Sequence, residues 1–162
     1  MAALYTNKIT PCLWFDTQAE DAAEHYTRIF KNSRIVHVSR YGSAGPRPAG
    51  MVMVVHFQIE GQDFIALNGG PEFTFDEAIS FQVNCESQAE IDRFWSKLSA
   101  GGEEGPCGWV KDKFGVSWQI VPTRLDELIR DPDQEKAQRV MSVMLGMKKL
   151  DIDELERAAA AS

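Results

Sequence analysis

An α+β fold, in which a strand, a helix and several strands occur twice in succession, follows from three features of the sequence. Two stretches, ITPCLWFDTQAEDAAEHYTRIF from Ile9 and ISFQVNCESQAEIDRFWSKL from Ile79, share one organisation at an offset of 70 residues, so that Gln18-Ala19-Glu20 aligns with Gln88-Ala89-Glu90. Each stretch leads into apolar segments separated by turns rich in glycine and proline, the pattern of short strands. From Thr123 that pattern gives way to short helical segments.

At the same offset Ile9 meets Ile79, Thr10 meets Ser80 and Leu13 meets Val83. Both stretches open as alternating strands. A capping residue, Asp16 or Thr17 in the first and Ser87 in the second, then begins an amphipathic helix. After the first helix come SRIVHVSRYG, MVMVVHFQIE and QDFIALN. After the second, GGEEGPCGW is a shortened counterpart of the middle strands, and DKFG is a turn feeding the last strand, SWQIVP. The stretch GSAGPRPAG lacks the Gly-Lys-Ser/Thr ending of a phosphate loop and reads as a mobile hairpin loop or lid. Residues 1–122 are read as a single domain of two modules, about 6–70 and 76–122, with 123–162 as a helical extension. In that extension Pro132 opens one helix and Gly146 interrupts near the end of another. Met141, Met144 and Met147 form a stripe at helical spacing, suited to packing against the domain or a partner subunit.

The chain has 162 residues, enough for a sizeable core. Its 24 acidic against 17 basic residues, a net charge of −7, argue against nucleic acid or an anionic membrane as partner, since both reward clustered Lys and Arg. No apolar run is long enough to span a bilayer, and MAALYTNKITPCLWF has neither a basic start nor an uninterrupted apolar stretch. Cys12, Cys85 and Cys107 are odd in number and widely spaced, which suggests neither a disulfide framework nor a CxxC zinc site. The cytoplasm is the expected compartment.

Alternation sorts the strand residues into faces. Ile9, Leu13 and Phe15 share one side of the first strand and Thr10, Cys12 and Trp14 the other. In its repeat mate, Ile79, Phe81 and Val83 oppose Ser80, Gln82 and Asn84. The apolar sides should meet the helices, and the other sides suit the lining of a cupped cavity. The expected ligand-binding residues are Cys12, Trp14, His56, Ser80, Gln82 and Gln119, with Trp109 close by. Trp118, which lies opposite Gln119, belongs to the core.

These segments together resemble the vicinal oxygen chelate superfamily of glyoxalase, bleomycin-resistance and extradiol-dioxygenase proteins. The chain is most similar to its PhnB-like branch, often labelled demethylubiquinone methyltransferase-like. The residues responsible are ITPCLWFD, FIALNGGPEF, AISFQVNCESQAE and above all DKFGVSWQI, and the likeness spans residues 6–122. It implies two βαβββ modules whose mixed sheets curl around a shared pocket, usually within a homodimer.

In metal-dependent members the resemblance implies His or Gln near the start of the first strand and Glu on the last strand, holding a divalent ion with positions open for two substrate oxygens. Here the first-strand windows offer Lys8, Ile9 or Thr10 and Ala78, Ile79 or Ser80, and the glutamate position falls on Gln119. A lone neutral amide binds a divalent cation weakly, so no metal and no other cofactor is expected.

His25 is expected on the polar, solvated side of the first helix. His37 and His56 lie in neighbouring strand segments with no carboxylate evident nearby. Cys12 and Cys107 lack a positioned base for nucleophilic work. Neither strand-to-helix step, FDTQAED or NCESQAE, contains the glycine-rich turn that a Rossmann-type methyltransferase needs. The reading is a metal-independent protein that binds or sequesters a small molecule, with catalysis open. The alternatives are a metal-dependent lyase, isomerase or dioxygenase using atypical ligands such as His56 and Gln119, and a structural dimer with a vestigial cavity.

Overall fold

A computed structural model describes residues 4–161, which divide between Phe75 and Asp76 into two compact units. The first contains β1 (Cys12–Phe15), α1 (Ala19–Ile29), β2 (Arg34–Arg40), β3 (Val52–Ile59) and β4 (Gln62–Asn68). The second contains β5 (Ser80–Cys85), α2 (Gln88–Ser99), β6 (Glu103–Glu104), β7 (Trp109–Lys111) and β8 (Ser117–Pro122), followed by α3 (Thr123–Ile129), α4 (Gln134–Leu145) and α5 (Ile152–Ala160). The sheets run β1-β4-β3-β2 and β5-β8-β7-β6. In both, the first and last strands pair in parallel and the other pairs are antiparallel. The α+β class and the duplicated βαβββ order are therefore those read from the sequence. The three C-terminal helices belong to the second unit.

Helix α1 buries Ala19, Ala22, Ala23, Tyr26 and Ile29, a stripe at three- and four-residue spacing. The sheet beneath supplies Leu13, Phe15, Val55, Phe57, Phe64 and Ala66, all buried. The expected side-chain cap from Asp16 or Thr17 is not made. The N-cap is Gln18, whose side chain makes no capping bond, and the Ala19 amide donates instead to Asn68 Oδ1 at 2.8 Å. This exchange follows from topology: Phe15 pairs with Asn68 at the end of β4, so the helix starts beside a neighbouring strand's amide. Helix α2 takes its cap from Ser87, as expected, with Glu90 N–H donating to Ser87 Oγ. It buries Ile91, Phe94, Trp95 and Leu98, while the sheet of the same unit buries Val110, Trp118 and Ile120.

Ile9 and Ile79 do not share the buried faces assigned to them; they are 84% and 73% exposed. Both precede their strands, so the pleat that aims Leu13 and Phe81 does not act on them. The GSAGPRPAG segment is a hairpin loop, but it is fastened. Tyr41 and Met51 close it, and Arg47 pairs with Asp16 at 3.0 Å. His25 is half-buried rather than fully solvated, its ring 5.8 Å from that of Tyr26. Met147 is buried with Leu125, Leu128, Val140, Leu150 and Leu155 in a cluster on which Met144 packs, so much of the methionine stripe is used within its own unit.

Two hairpins turn through paired left-handed residues. Glu60 and Gly61 (φ 49° and 80°) join β3 to β4, and Cys107 and Gly108 (φ 54° and 83°) join β6 to β7, the pattern of a type I′ turn. The second turn is held from outside its own sheet. Cys107 N–H donates to Met147 O at 2.8 Å and Gly108 N–H to Lys148 O at 2.7 Å.

Each unit also buries one carboxylate. Asp63 Oδ2 accepts from the Thr6 and Asn7 amides, at 2.6 and 3.0 Å, and Oδ1 accepts from the Gln58 amide and lies 2.9 Å from His56 Nε2. In the DKFG turn, Asp112 Oδ1 accepts from Phe114 and Val116 N–H, and Oδ2 accepts from the Trp118 indole at 2.9 Å. A buried charge costs several kcal/mol unless it is saturated in this way.

Asp112→Asn keeps the shape but turns an amide NH2 toward groups that are themselves donors. A loss of about 2–4 kcal/mol is expected in urea unfolding; a change within about 0.5 kcal/mol would show that the turn holds without its acceptor. For Asp63, burial alone would raise the pKa, but Gln58, His56 and the Asn7 and Thr6 amides outweigh it and hold the carboxyl well below its ordinary value of 3.8. A depressed folded-state pKa gives stability that is fully present above the unfolded value and is lost as pH falls below it. Thermal unfolding followed below pH 4 should therefore fall less steeply in Asp63→Asn than in the unaltered protein. Parallel acid curves would remove Asp63 as the cause.

Candidate functional site

The register of the second sheet sets out the site. Ser80 pairs with Ser117 and Ser117 with Lys111, while Gln82 pairs with Gln119 and Gln119 with Trp109. Residues directly opposite share a face, so these six lie on one side of the sheet. Phe81, Trp118 and Val110 take the other side, where Phe81 and Trp118 rings pack 5.4 Å apart. Trp118 is accordingly in the core.

At the β6–β7 edge is a cavity of about 310 Å³, bordered also by Val110 and its cross-strand partner Glu104 from the other face of the sheet. Trp109, Lys111 and Ser117 reach it from the sheet, Glu103 and Glu104 from the edge strand, and Glu77 from the segment before β5. Trp109 is held by the turn that the C-terminal helices clamp. Lys111 Nζ forms an ion pair with Glu77. This bond, with the added fields of Glu103 and Asp76, pushes the lysine pKa up and outweighs its desolvation. Glu104 accepts a hydrogen bond from the Trp95 indole at 2.8 Å. Ser117 is only 2% exposed, and its Oγ has no hydrogen-bond partner among the described residues. A buried hydroxyl that borders a cavity and bonds to nothing is an open valence for whatever enters.

The sequence-predicted residues are distributed as follows. Trp109 lines the cavity. Gln119 Nε2 donates to Ser80 Oγ at 2.9 Å on the same sheet face, and Gln82 is exposed and bonds to Asn84. Cys12, Trp14 and His56 belong to the first unit, where Cys12 and His56 flank Ile65 on one face. Trp14 donates its indole N–H to Gly70 O at 2.8 Å and packs where a Cβ at Gly69 would strike its ring, while Gly70 is required by its own backbone, at φ 126°. Desolvation pushes the Cys12 thiol up, away from the thiolate that nucleophilic chemistry uses. His56 is buried against Asp63 beneath the Tyr5 ring, 4.4 Å away. It therefore has the carboxylate partner that the sequence reading did not supply, while His37, its cross-strand mate, stays exposed.

Sequence reasoning missed Ser117 and the Lys111–Glu77 pair. Ser117 lies two residues before Gln119, so the period of two already placed it on the same face. Glu77 gave no signal, because its partner comes from a strand 34 positions away.

The donors around Gln119 do not fit a divalent ion. Its neighbours on the sheet face are the Ser80 hydroxyl, the Gln82 amide and the Trp109 indole, none of which is anionic or a strong donor. Among the described residues no three His, Cys, Asp or Glu side chains are placed to hold a metal.

Residues 7–121 match the family described as 3-demethylubiquinone-9 3-methyltransferase. Among solved structures, a Bacillus cereus PhnB protein, itself described as a candidate 3-demethylubiquinone-9 3-methyltransferase, is 37% identical, with 72% of this chain and 100% of that chain covered and a TM-score of 0.65. Protein PA1353 from Pseudomonas aeruginosa (21% identity, 72% and 98% covered, TM-score 0.59) and the fosfomycin resistance protein FosX from Listeria monocytogenes (16%, 78% and 98%, TM-score 0.53) share the fold. No curated protein matches. The matched span and the similarity to the Bacillus protein establish that this chain belongs to the PhnB-like 3-demethylubiquinone-9 3-methyltransferase family.

Proposed function

We propose that the protein binds a small molecule without a metal, in the second-unit cavity beside Trp109. The observation that carries this reading is the unsatisfied Ser117 hydroxyl at the cavity. A cavity of about 310 Å³ is at the lower end of ligand-pocket size. It suits a one- or two-ring compound. The Ser80–Gln119 pair on the same sheet face offers further polar contacts, and Cys12, Trp14 and His56 are proposed as ligand contacts of the first unit. Homodimer formation and a cytoplasmic location are part of the proposal. The first is motivated by the superfamily, the second by three free cysteines. No helix of the described residues is long and apolar enough to cross a membrane.

Methyl transfer from S-adenosylmethionine, which the family description suggests, finds no support in the fold. Each sheet has a single parallel pair, and neither strand-to-helix step carries a glycine-rich turn.

Ser117→Ala removes a buried group that bonds to nothing, so the free protein should be as stable or slightly more stable. Ligand affinity should fall about three- to tenfold, and Trp109→Ala should lower it at least tenfold. Ligands found by native mass spectrometry of the purified protein supply the titrant. Unchanged affinity in both variants would place binding elsewhere. Elemental analysis of protein purified without chelators should give no stoichiometric divalent metal, and Gln119→Glu alone should not create a tight site, because no strand of its own sheet carries a histidine. Stoichiometric metal near Gln119 would favour the lyase, isomerase or dioxygenase reading instead.

A further inference from the structure

The cavity's charge specifies its occupant further. Resting on the pocket reading above, we infer that the site selects an amphipathic organic cation: an amine whose ring lies against Trp109 and whose ammonium faces the carboxylates of the β6 edge. Three observations carry this. Glu77, Glu103 and Glu104 line the cavity against one cation, Lys111. Lys111 is committed to Glu77, and Glu104 has one oxygen on the Trp95 indole. Glu103 is exposed and, among the described residues, forms no ion pair. The surplus charge is therefore negative, and it lies next to the Trp109 ring, whose π face attracts a cation. The Ser117 hydroxyl, unlike a fixed donor, can accept from an ammonium as readily as it donates. An acidic rim alone would be a solvated edge. The buried, unsatisfied Ser117 is what makes it part of a site.

The same arrangement disfavours phosphonates, phosphates and carboxylates. To reach Lys111 an anion must displace Glu77 while passing Glu103. Any oxyanion bound there would have carboxylates as close neighbours, with Lys111 the one cation among the described lining residues.

Three probes of one shape separate charge from fit: 2-naphthylmethylamine, 2-naphthylmethanol and 2-naphthoate, titrated calorimetrically against the full chain. The amine should bind about tenfold tighter than the alcohol, and the naphthoate weakest. Raising salt from about 0.05 to 0.5 M should narrow the gap between amine and alcohol. Glu103→Gln should reduce the amine's advantage over the alcohol to about threefold or less, with an unchanged circular-dichroism spectrum and thermal midpoint showing that the variant is folded. Trp109→Ala should weaken all three. An alcohol or naphthoate that binds as tightly as the amine, in a manner still sensitive to Trp109→Ala, would overturn the charge inference and leave the pocket intact. Failure of all three to bind, or binding indifferent to Trp109→Ala, would overturn the pocket itself.

Discussion

The site depends on one buried carboxylate. Asp112 is 2% exposed and sits where β7 must reverse into β8. The turn takes the amides of Phe114 and Val116 out of the strand ladder, and the Asp112 side chain accepts from both. Its other oxygen fixes the indole of Trp118, which packs on the core side of β8. The turn and the core are thereby held by the same group. Most of what reaches the cavity from the sheet lies on the two strands so joined, with Trp109, Val110 and Lys111 on β7 and Ser117 on β8, and Glu103 and Glu104 come from the edge strand β6. A slip of one residue in this hairpin would send Ser117 and Gln119 to the core and Trp118 to the cavity, because side chains alternate along a strand. Asp112 sets the register against that slip. The first unit has a related device in Asp63, although there the carboxylate ties down the backbone at Thr6 and Asn7 and a histidine rather than its own turn.

The C-terminal helices act on the cavity through the other end of β7. Cys107 is a non-glycine residue at φ 54°, a conformation that costs of order 1 kcal/mol outside a supporting context. The support is the pair of carbonyls at Met147 and Lys148, in the link between α4 and α5. That link is held in turn by Met147 and Leu150, both inside the helical cluster, and by Gln88, which bonds Leu150 O and the Ile152 amide. Gly108 has no alternative, since a Cβ there would lie 2.7 Å from Ile120 O. The helices therefore do more than cover an apolar edge: they hold the turn from which Trp109 projects.

Much of this was legible in the sequence, and the parts that were not share a cause. The duplicated strand–helix unit, the DKFG turn, the Ser87 cap and the core position of Trp118 are local or periodic features. A reader of the chain has every residue they need. The α1 cap was misassigned because its acceptor, Asn68, is 49 positions away. His56 looked solitary because Asp63 comes into hydrogen-bonding distance only when β3 and β4 pair, with His56 opposite Ile65. Ile9 and Ile79 were read into strands that begin later, an error of boundary rather than of pattern. The GSAGPRPAG loop has the composition of a mobile segment, and composition cannot show that Arg47 will find Asp16 across the fold.

The groups around Gln119 and the acidic rim of the cavity together decide the charge that this sheet presents. A divalent ion in a sheet-lined cavity is the largest charge present, and it would draw oxygen anions into the site. On the sheet face around Gln119 the groups are amide, hydroxyl and indole, so the sign of the local potential there is set by the charged side chains nearby. On this sheet those are Glu77, Glu103 and Glu104 against Lys111. The frame, the register and the turn that set the cavity's shape do not depend on these charges, because Asp112 and the helical clamp bear on backbone and core. A fold of this kind can thus change the charge of what it accepts through a few surface-facing positions, while the residues that fix its geometry stay as they are.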